Sequence, residues 1–217
     1  MVAGVRQNKG FRSRNGRIYD ALDGPAASVH VVSVRFPNRK VPVSKAKSDK
    51  VSPDLDTPTD LPQEAVDKIS AALNTLLADA FALYLKTKNF HWHVSGRHFR
   101  DYHLMLDEQS DAIFATTDQL AERVRKLGGI TLRSIGQVSK LQTIKDNNED
   151  YVPPRQMLRE LMEDNKHVAA AMRKAHKIAD DNEDRGTAQL LELFIDETER
   201  RTWFLFEASR QEGSNAA

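Results

Sequence analysis

The amino-acid sequence predicts an all-α protein, a four-helix bundle preceded by an extended N-terminal arm. Three observations carry that reading. Six of the eight prolines lie between residues 25 and 62, and four of the ten glycines lie in the first 24 residues. Further on, the windows 63–95, 97–127, 155–185 and 187–212 contain neither Gly nor Pro. Apolar residues recur in these windows at helical spacing, whose ordinary meaning is a core-facing stripe. The chain therefore divides into a basic arm (1–60), a bundle (61–212) and a short tail (213–217).

Each window can hold a helix of roughly 25–30 residues, or about 40–45 Å. Asp60-Leu61-Pro62 supplies the first start signal, an acidic cap candidate with proline near the first turn. Gly96 ends the first helix and Gly128-Gly129 the second. The link 130–152 is long enough for a short helix near Ser134 to Leu141. Pro153-Pro154 opens the third helix, whose core candidates are Leu158, Leu161, Met162, Val168, Met172 and Ile178. The acidic stretch Asp180 to Asp184, before Gly186, separates it from the fourth. There the core candidates are Leu190, Leu191, Phe194, Ile195, Trp203, Phe204 and Phe206. Two hairpins joined by a long crossover form the ferritin-like bundle pattern. In the arm, Val29 to Phe36 has the β-branched character of a short strand.

Charge is uneven along the chain. Residues 1–50 carry 11 Lys/Arg against 3 Asp/Glu, and the rest 21 against 28, so +8 is followed by −7. A basic arm on an acidic body favours polyanionic partners, and a solvated tail is the plainer alternative. No apolar run approaches the ~20 residues of a membrane span, and the N-terminus lacks the apolar middle of a secretory signal. The expectation is a cytoplasmic protein without a membrane partner. The absence of cysteine rules out disulfides and thiol chemistry.

The chemistry concentrates between His91 and Glu122. Two histidines and three acids, His91, His103, Asp107, Asp118 and Glu122, supply the imidazole and carboxylate donors of non-haem iron, manganese and zinc. At 100° per residue, with His103 at zero, Phe99, Tyr102, Met105, Leu106, Ile113, Leu120, Val124 and Leu127 fall at about 200–320° and face their own bundle. Asp107, Asp118 and Glu122 fall at about 40–100°, with Leu104 and Phe114 on or near the same arc. A mixed apolar and acidic stripe turned away from the core points to a subunit interface.

Length decides the stoichiometry. Asp107 and Asp118 lie roughly 16 Å apart along one helix, far beyond the reach of one metal or of a bridged pair about 3.5–4 Å apart. His103 and Asp107 can share a metal, as can Asp118 and Glu122, because i,i+4 residues are neighbours. Antiparallel packing of two copies about a two-fold axis would set one chain's first pair beside the other's second. His91 could join His103 and Asp107 within its own chain. A carboxylate-rich, open donor set suits Fe(II) oxidation better than a closed structural zinc site. The bland alternative is a charged helix face with incidental histidines.

These residues carry a family resemblance. Lys88 to Gly129, with His91-Trp92, Gly96, Phe99, His103, Asp107, Asp118, Ala121-Glu122-Arg123 and Leu127-Gly128-Gly129, closely resembles the Dps family, the mini-ferritins named for DNA protection during starvation. The resemblance runs over roughly 60–212, and Thr202-Trp203 is similar to that family's late tryptophan. It implies a hollow dodecamer of four-helix subunits, built from two-fold dimers, that oxidises Fe(II), preferring hydrogen peroxide to oxygen, and stores the ferric mineral. It also implies iron ligation by His91, His103 and Asp107 facing Asp118 and Glu122 of a neighbour. Trp92 matches a tryptophan beside the iron site that intercepts radicals, with ordinary packing as its alternative.

The arm departs from that family by its length. Arg6, Lys9, Arg12, Arg14 and Arg17 form one basic cluster; Arg35, Arg39, Lys40, Lys45, Lys47 and Lys50 form another. Twelve copies would make a multivalent polycation for sequence-independent DNA binding, with nucleoid association as a consequence. Assembly, or a second metal at His30, are other uses for it. His93 and His98 read as neighbours of the site or surface residues, and His167 and His176 as ordinary histidines. Asp180, Asp181, Glu183 and Asp184 read first as a solvated turn and second as the lining of a pore for incoming iron. Two rival functions remain: a nucleoid-compacting shell with little ferroxidase activity, and a monomeric four-helix binding module.

Overall fold

The computed structural model describes residues 52–210. Both basic clusters of the arm, the strand expected at Val29 to Phe36, His30 and the tail 213–217 lie outside the described residues. A 3-10 turn at Pro53–Leu55 leads into α1 (Gln63–His93), α2 (Phe99–Lys126), α3 (Ile135–Leu141), α4 (Pro154–Asp181) and α5 (Arg185–Ala208). Helices α1 and α2 form one hairpin, α4 and α5 the other, and the crossover carrying α3 joins them.

The boundaries follow local chemistry. Pro62 occupies the N-cap position of α1, and Asp60 gives no side-chain cap; the first bond is Ala65 N–H to Pro62 O at 2.9 Å. Helix α2 ends at Gly128, whose φ of +86° favours glycine, while Gly129 N–H closes back on Val124 O at 3.0 Å. Ser134 caps α3 by accepting from Gln137 N–H. Pro154 stands at the first turn of α4, where its missing N–H costs nothing.

Leu73, Leu77, Leu83 and Phe90 of α1 pack with Leu106 and Leu120 of α2, Leu158 and Leu161 of α4, and Leu191 and Leu205 of α5. Among the described residues α1 alone is long and apolar enough in composition to cross a membrane, although no such run was expected. Its apolarity has a simpler cause: it packs on α2, α3 and α4, so it buries more than one face. The crossover is held by the fully buried Asp79 carboxylate, which accepts from Thr143 N–H, Ile144 N–H at 3.1 Å and the Thr143 hydroxyl at 2.8 Å. Lys86, buried on α1, bridges Asp164 at 2.7 Å and Glu160 at 3.0 Å on α4. Desolvation raises the Asp164 carboxyl above the ordinary range despite that ammonium.

Two core expectations change. Trp203, Phe204 and Phe206 are exposed on α5, and the buried residue in that turn is Leu205. Four successive residues span about 300° of a helix, so one packing face cannot bury them all. Phe99 is also exposed, with its ring against His103 rather than in the core.

Candidate metal centre

The last turn of α1 and the first turns of α2 meet at His91 and His103. His91 Nδ1 lies 2.8 Å from the His103 carbonyl oxygen, and His103 Nδ1 lies 2.9 Å from the His91 carbonyl oxygen. A carbonyl only accepts, so each Nδ1 donates its proton, and Nε2 is the ring nitrogen left to bind a cation. The His91 carbonyl is available because it belongs to the last turn of its helix. The two rings stack at 3.8 Å between centroids, and Phe99 stacks on His103 at 5.0 Å. Both imidazoles are thereby fixed in rotation and tautomer.

Asp107, one turn beyond His103, lies with Oδ1 3.7 Å from His91 Nε2. Lys88, one turn before His91, donates to the same oxygen and sits 3.7 Å from Asp111 Oδ1. That hydrogen bond holds the Asp107 carboxyl below the usual carboxylate range and raises the Lys88 ammonium in return. His91 Nε2 and the Asp107 carboxylate are thus close within one chain, with the His103 ring stacked on His91. They suit a borderline divalent ion such as Fe(II).

Asp118 and Glu122 stand in contrast. Both are exposed on α2; Glu122 holds Lys126 at 3.0 Å, and Asp118 has no hydrogen bond or ion pair among the described residues. Among the described residues no group of three or more His, Asp or Glu is arranged to hold a metal ion within this one chain. Leu104 and Phe114 on the same helix are exposed as expected, and the Phe114 ring rests on Tyr84 at 4.9 Å and Phe81 at 6.4 Å. Trp92, beside His91 in sequence, is 60% exposed.

The other candidates are engaged elsewhere. His93 bonds Asn89 O at 2.7 Å, His98 packs on Tyr102, His167 bonds the Thr143 hydroxyl at 2.7 Å, and His176 faces Glu192 at 3.1 Å. Asp180 pairs with Arg185 and Asp181 with Lys177, while Glu183 is exposed at a φ of +61°. Asp184 requires a correction, because it neither belongs to a solvated turn nor can line a pore. It is buried, caps α5 by accepting from Thr187 N–H at 3.0 Å, and pairs with Arg123 of α2. A cap oxygen that also meets a guanidinium is stable inside, where an unpaired carboxylate would not be. A cavity of about 230 Å³ beneath the crossover, lined by Asn89, Phe90, His93, Glu149, Asp150, Val152 and Met157, includes none of the five ligand candidates.

Sequence reasoning missed Lys88 and Asp111 as members of this cluster. The signal was present, since Lys88 is three residues before His91 and Asp111 four after Asp107.

Comparison with known proteins decides the family. The ferritin-like domain matches residues 70–210. Over 158 residues the chain is 34% identical to the DNA protection during starvation protein of Agrobacterium fabrum, spanning 73% of this chain and 97% of that protein. The chain belongs to the Dps family of ferritin-like proteins. Among solved structures, a Dps homologue of the archaeon Halobacterium salinarum is similar at 27% identity and a TM-score of 0.69, covering 80% of this chain and 95% of that one. The Dps protein of Vibrio cholerae, described as a member of a broad superfamily of ferritin-like diiron-carboxylate proteins, matches at 27% identity and a TM-score of 0.66 over 69% and 94% of the two chains. The all-α, ferritin-like fold of this Dps chain accordingly stands as expected.

Proposed function

We propose that this Dps protein oxidises Fe(II) at a site shared between two chains, stores the ferric product inside a dodecameric cage, and binds DNA through its basic arm. The observation that carries the iron reading is the contrast within α2. His103 and Asp107 at its start are contacted by His91 and Lys88 of α1, whereas Asp118 and Glu122 stand exposed later on α2. An antiparallel second copy packed over Leu104 and Phe114 would present its acids to the histidine pair. Such a dimer has two identical sites.

Iron is the substrate, and the residues bind and orient it. Two Fe(II) ions each give up one electron; one hydrogen peroxide accepts both as its O–O bond breaks; hydrolysis to ferric oxyhydroxide releases protons. Trp92, adjacent to His91, is placed in this reading to absorb stray oxidising equivalents. Asp180, Asp181 and Glu183 are the acids that would draw Fe(II) toward a pore of the assembled cage. In the arm, Arg6 to Arg17 and Arg35 to Lys50 supply the phosphate contacts. Twelve copies convert weak, salt-sensitive contacts into strong ones. The protein then works in the cytoplasm, on the nucleoid.

Two experiments test the proposal. Asp118→Ala with Glu122→Ala should slow peroxide-driven oxidation at least about 100-fold while particle mass is retained. Unchanged oxidation would refute the site, whereas a native protein that forms no ferric product with peroxide would favour a DNA-compacting shell with little iron chemistry. Removing residues 1–50 should leave oxidation intact and abolish DNA retardation at low salt; persistent retardation would move DNA binding to the bundle.

A further inference from the structure

We infer that Asp111 is a positioning residue for the metal site: it receives the Lys88 ammonium when a metal ion claims Asp107. The inference rests on the ligand assignment proposed above, and no role for Asp111 enters that assignment. Lys88 holds Asp107, a carboxylate that lies beside His91. A cation arriving at His91 and His103 needs that carboxylate, so it must displace the ammonium. Lys88 is only 16% exposed in its side chain, and an ammonium so enclosed is costly to leave without a counter-charge.

Asp111 supplies the second station. It is one helical turn from Asp107 on the same face of α2, so the two carboxylates stand about 5–6 Å apart along the axis. Lys88 Nζ is already 3.7 Å from Asp111 Oδ1, and the Asp111 side chain, 76% exposed, has no other ion pair among the described residues. Rotation about the terminal bonds of the lysine carries Nζ from one acceptor to the other without moving either helix. Metal binding then exchanges one ion pair for another and leaves no charge stranded.

The test uses the full-length protein and cobalt(II), a redox-inert probe whose visible absorption reports ligation directly. His103→Ala should abolish the cobalt signal of the native protein; a signal that survives overturns both the ligand assignment and this inference. Given a histidine-dependent signal, Asp111→Asn should weaken cobalt binding about five- to tenfold, and Asp111→Glu should restore it. In a Lys88→Gln background the same Asp111→Asn change should have no effect, because no ammonium needs a new partner. An equal loss in both backgrounds would reduce Asp111 to a general negative field and overturn the inference. Equally decisive is the cobalt-loaded crystal structure, in which Lys88 Nζ should lie closer to Asp111 than to Asp107. Retention of the ammonium on Asp107 beside bound cobalt would refute the exchange.

Discussion

The two ends of α2 carry similar donors in different states of readiness. At the start of the helix, His103 and Asp107 are locked by α1: ring nitrogens against carbonyls, ring on ring, and a lysine on the carboxylate. Toward its end, Asp118 and Glu122 are exposed, with Lys126 paired to Glu122. A side chain aligned by its own chain costs little further ordering when a ligand arrives; an exposed carboxylate must be ordered by something else. The difference teaches where a partner is needed. The bundle orders the histidine end by itself, and in the function proposed above another copy completes the acidic end.

The largest effect would come from separating the two ends genetically. His103→Ala and the Asp118→Ala, Glu122→Ala double variant should each lose oxidation by at least about 100-fold. Co-expressed in equal amounts, the two chains should recover about a quarter of native activity, since half of random two-fold dimers are mixed and each mixed dimer has one intact site. Absence of any recovery would place both ends in separate single-chain functions and break the comparison.

A smaller effect is expected at the anchor of the acidic end. Arg123, next to Glu122, is tied to Asp184 and to the Thr187 hydroxyl at 2.8 Å. Asp184→Ala strips the cap from α5 and leaves the guanidinium unpaired, at a cost of about 3–5 kcal/mol. A fall of about 10 °C in the thermal midpoint should follow, read by circular dichroism. A change within experimental error would show that the junction does not support α2.

The smallest effect concerns the histidine end in acid. Lys88 lowers the Asp107 pKa, so the pair's contribution is present above about pH 4, the ordinary carboxylate value, and is lost as pH falls through the lower folded value. The raised Lys88 pKa places its alkaline loss above the ordinary lysine value of about 10.4. Lys88→Gln should therefore lower the melting temperature near neutrality by about 1–2 °C, and the gap to the native protein should close in strong acid. A gap of equal size at both pH values would assign the lysine a packing role instead.

Much of this was legible before any coordinates. Windows free of Gly and Pro located α1, α2, α4 and α5, and Ser134 marked α3, because helix breaking and capping are local effects. The spacing of His103, Asp107, Asp118 and Glu122 separated two ligand pairs on one helix for the same reason. Less legible were the α5 aromatics, where Trp203, Phe204 and Phe206 looked like core and are exposed, and Asp184, which looked solvated and is buried. Composition and spacing cannot say which side of a helix a neighbour covers.

The sequence by itself determined the helices and the separation of the candidate donors into two pairs, since rise per residue and i,i+4 proximity are properties of one chain segment. Tertiary structure alone decided that His91 and His103 exchange carbonyl contacts across two helices, that Lys88 reaches Asp107 and Asp111, and that Arg123 needs Asp184. Those contacts depend on how α1, α2 and α5 are rotated and spaced in the core, a balance of packing spread over many residues and written at no single position.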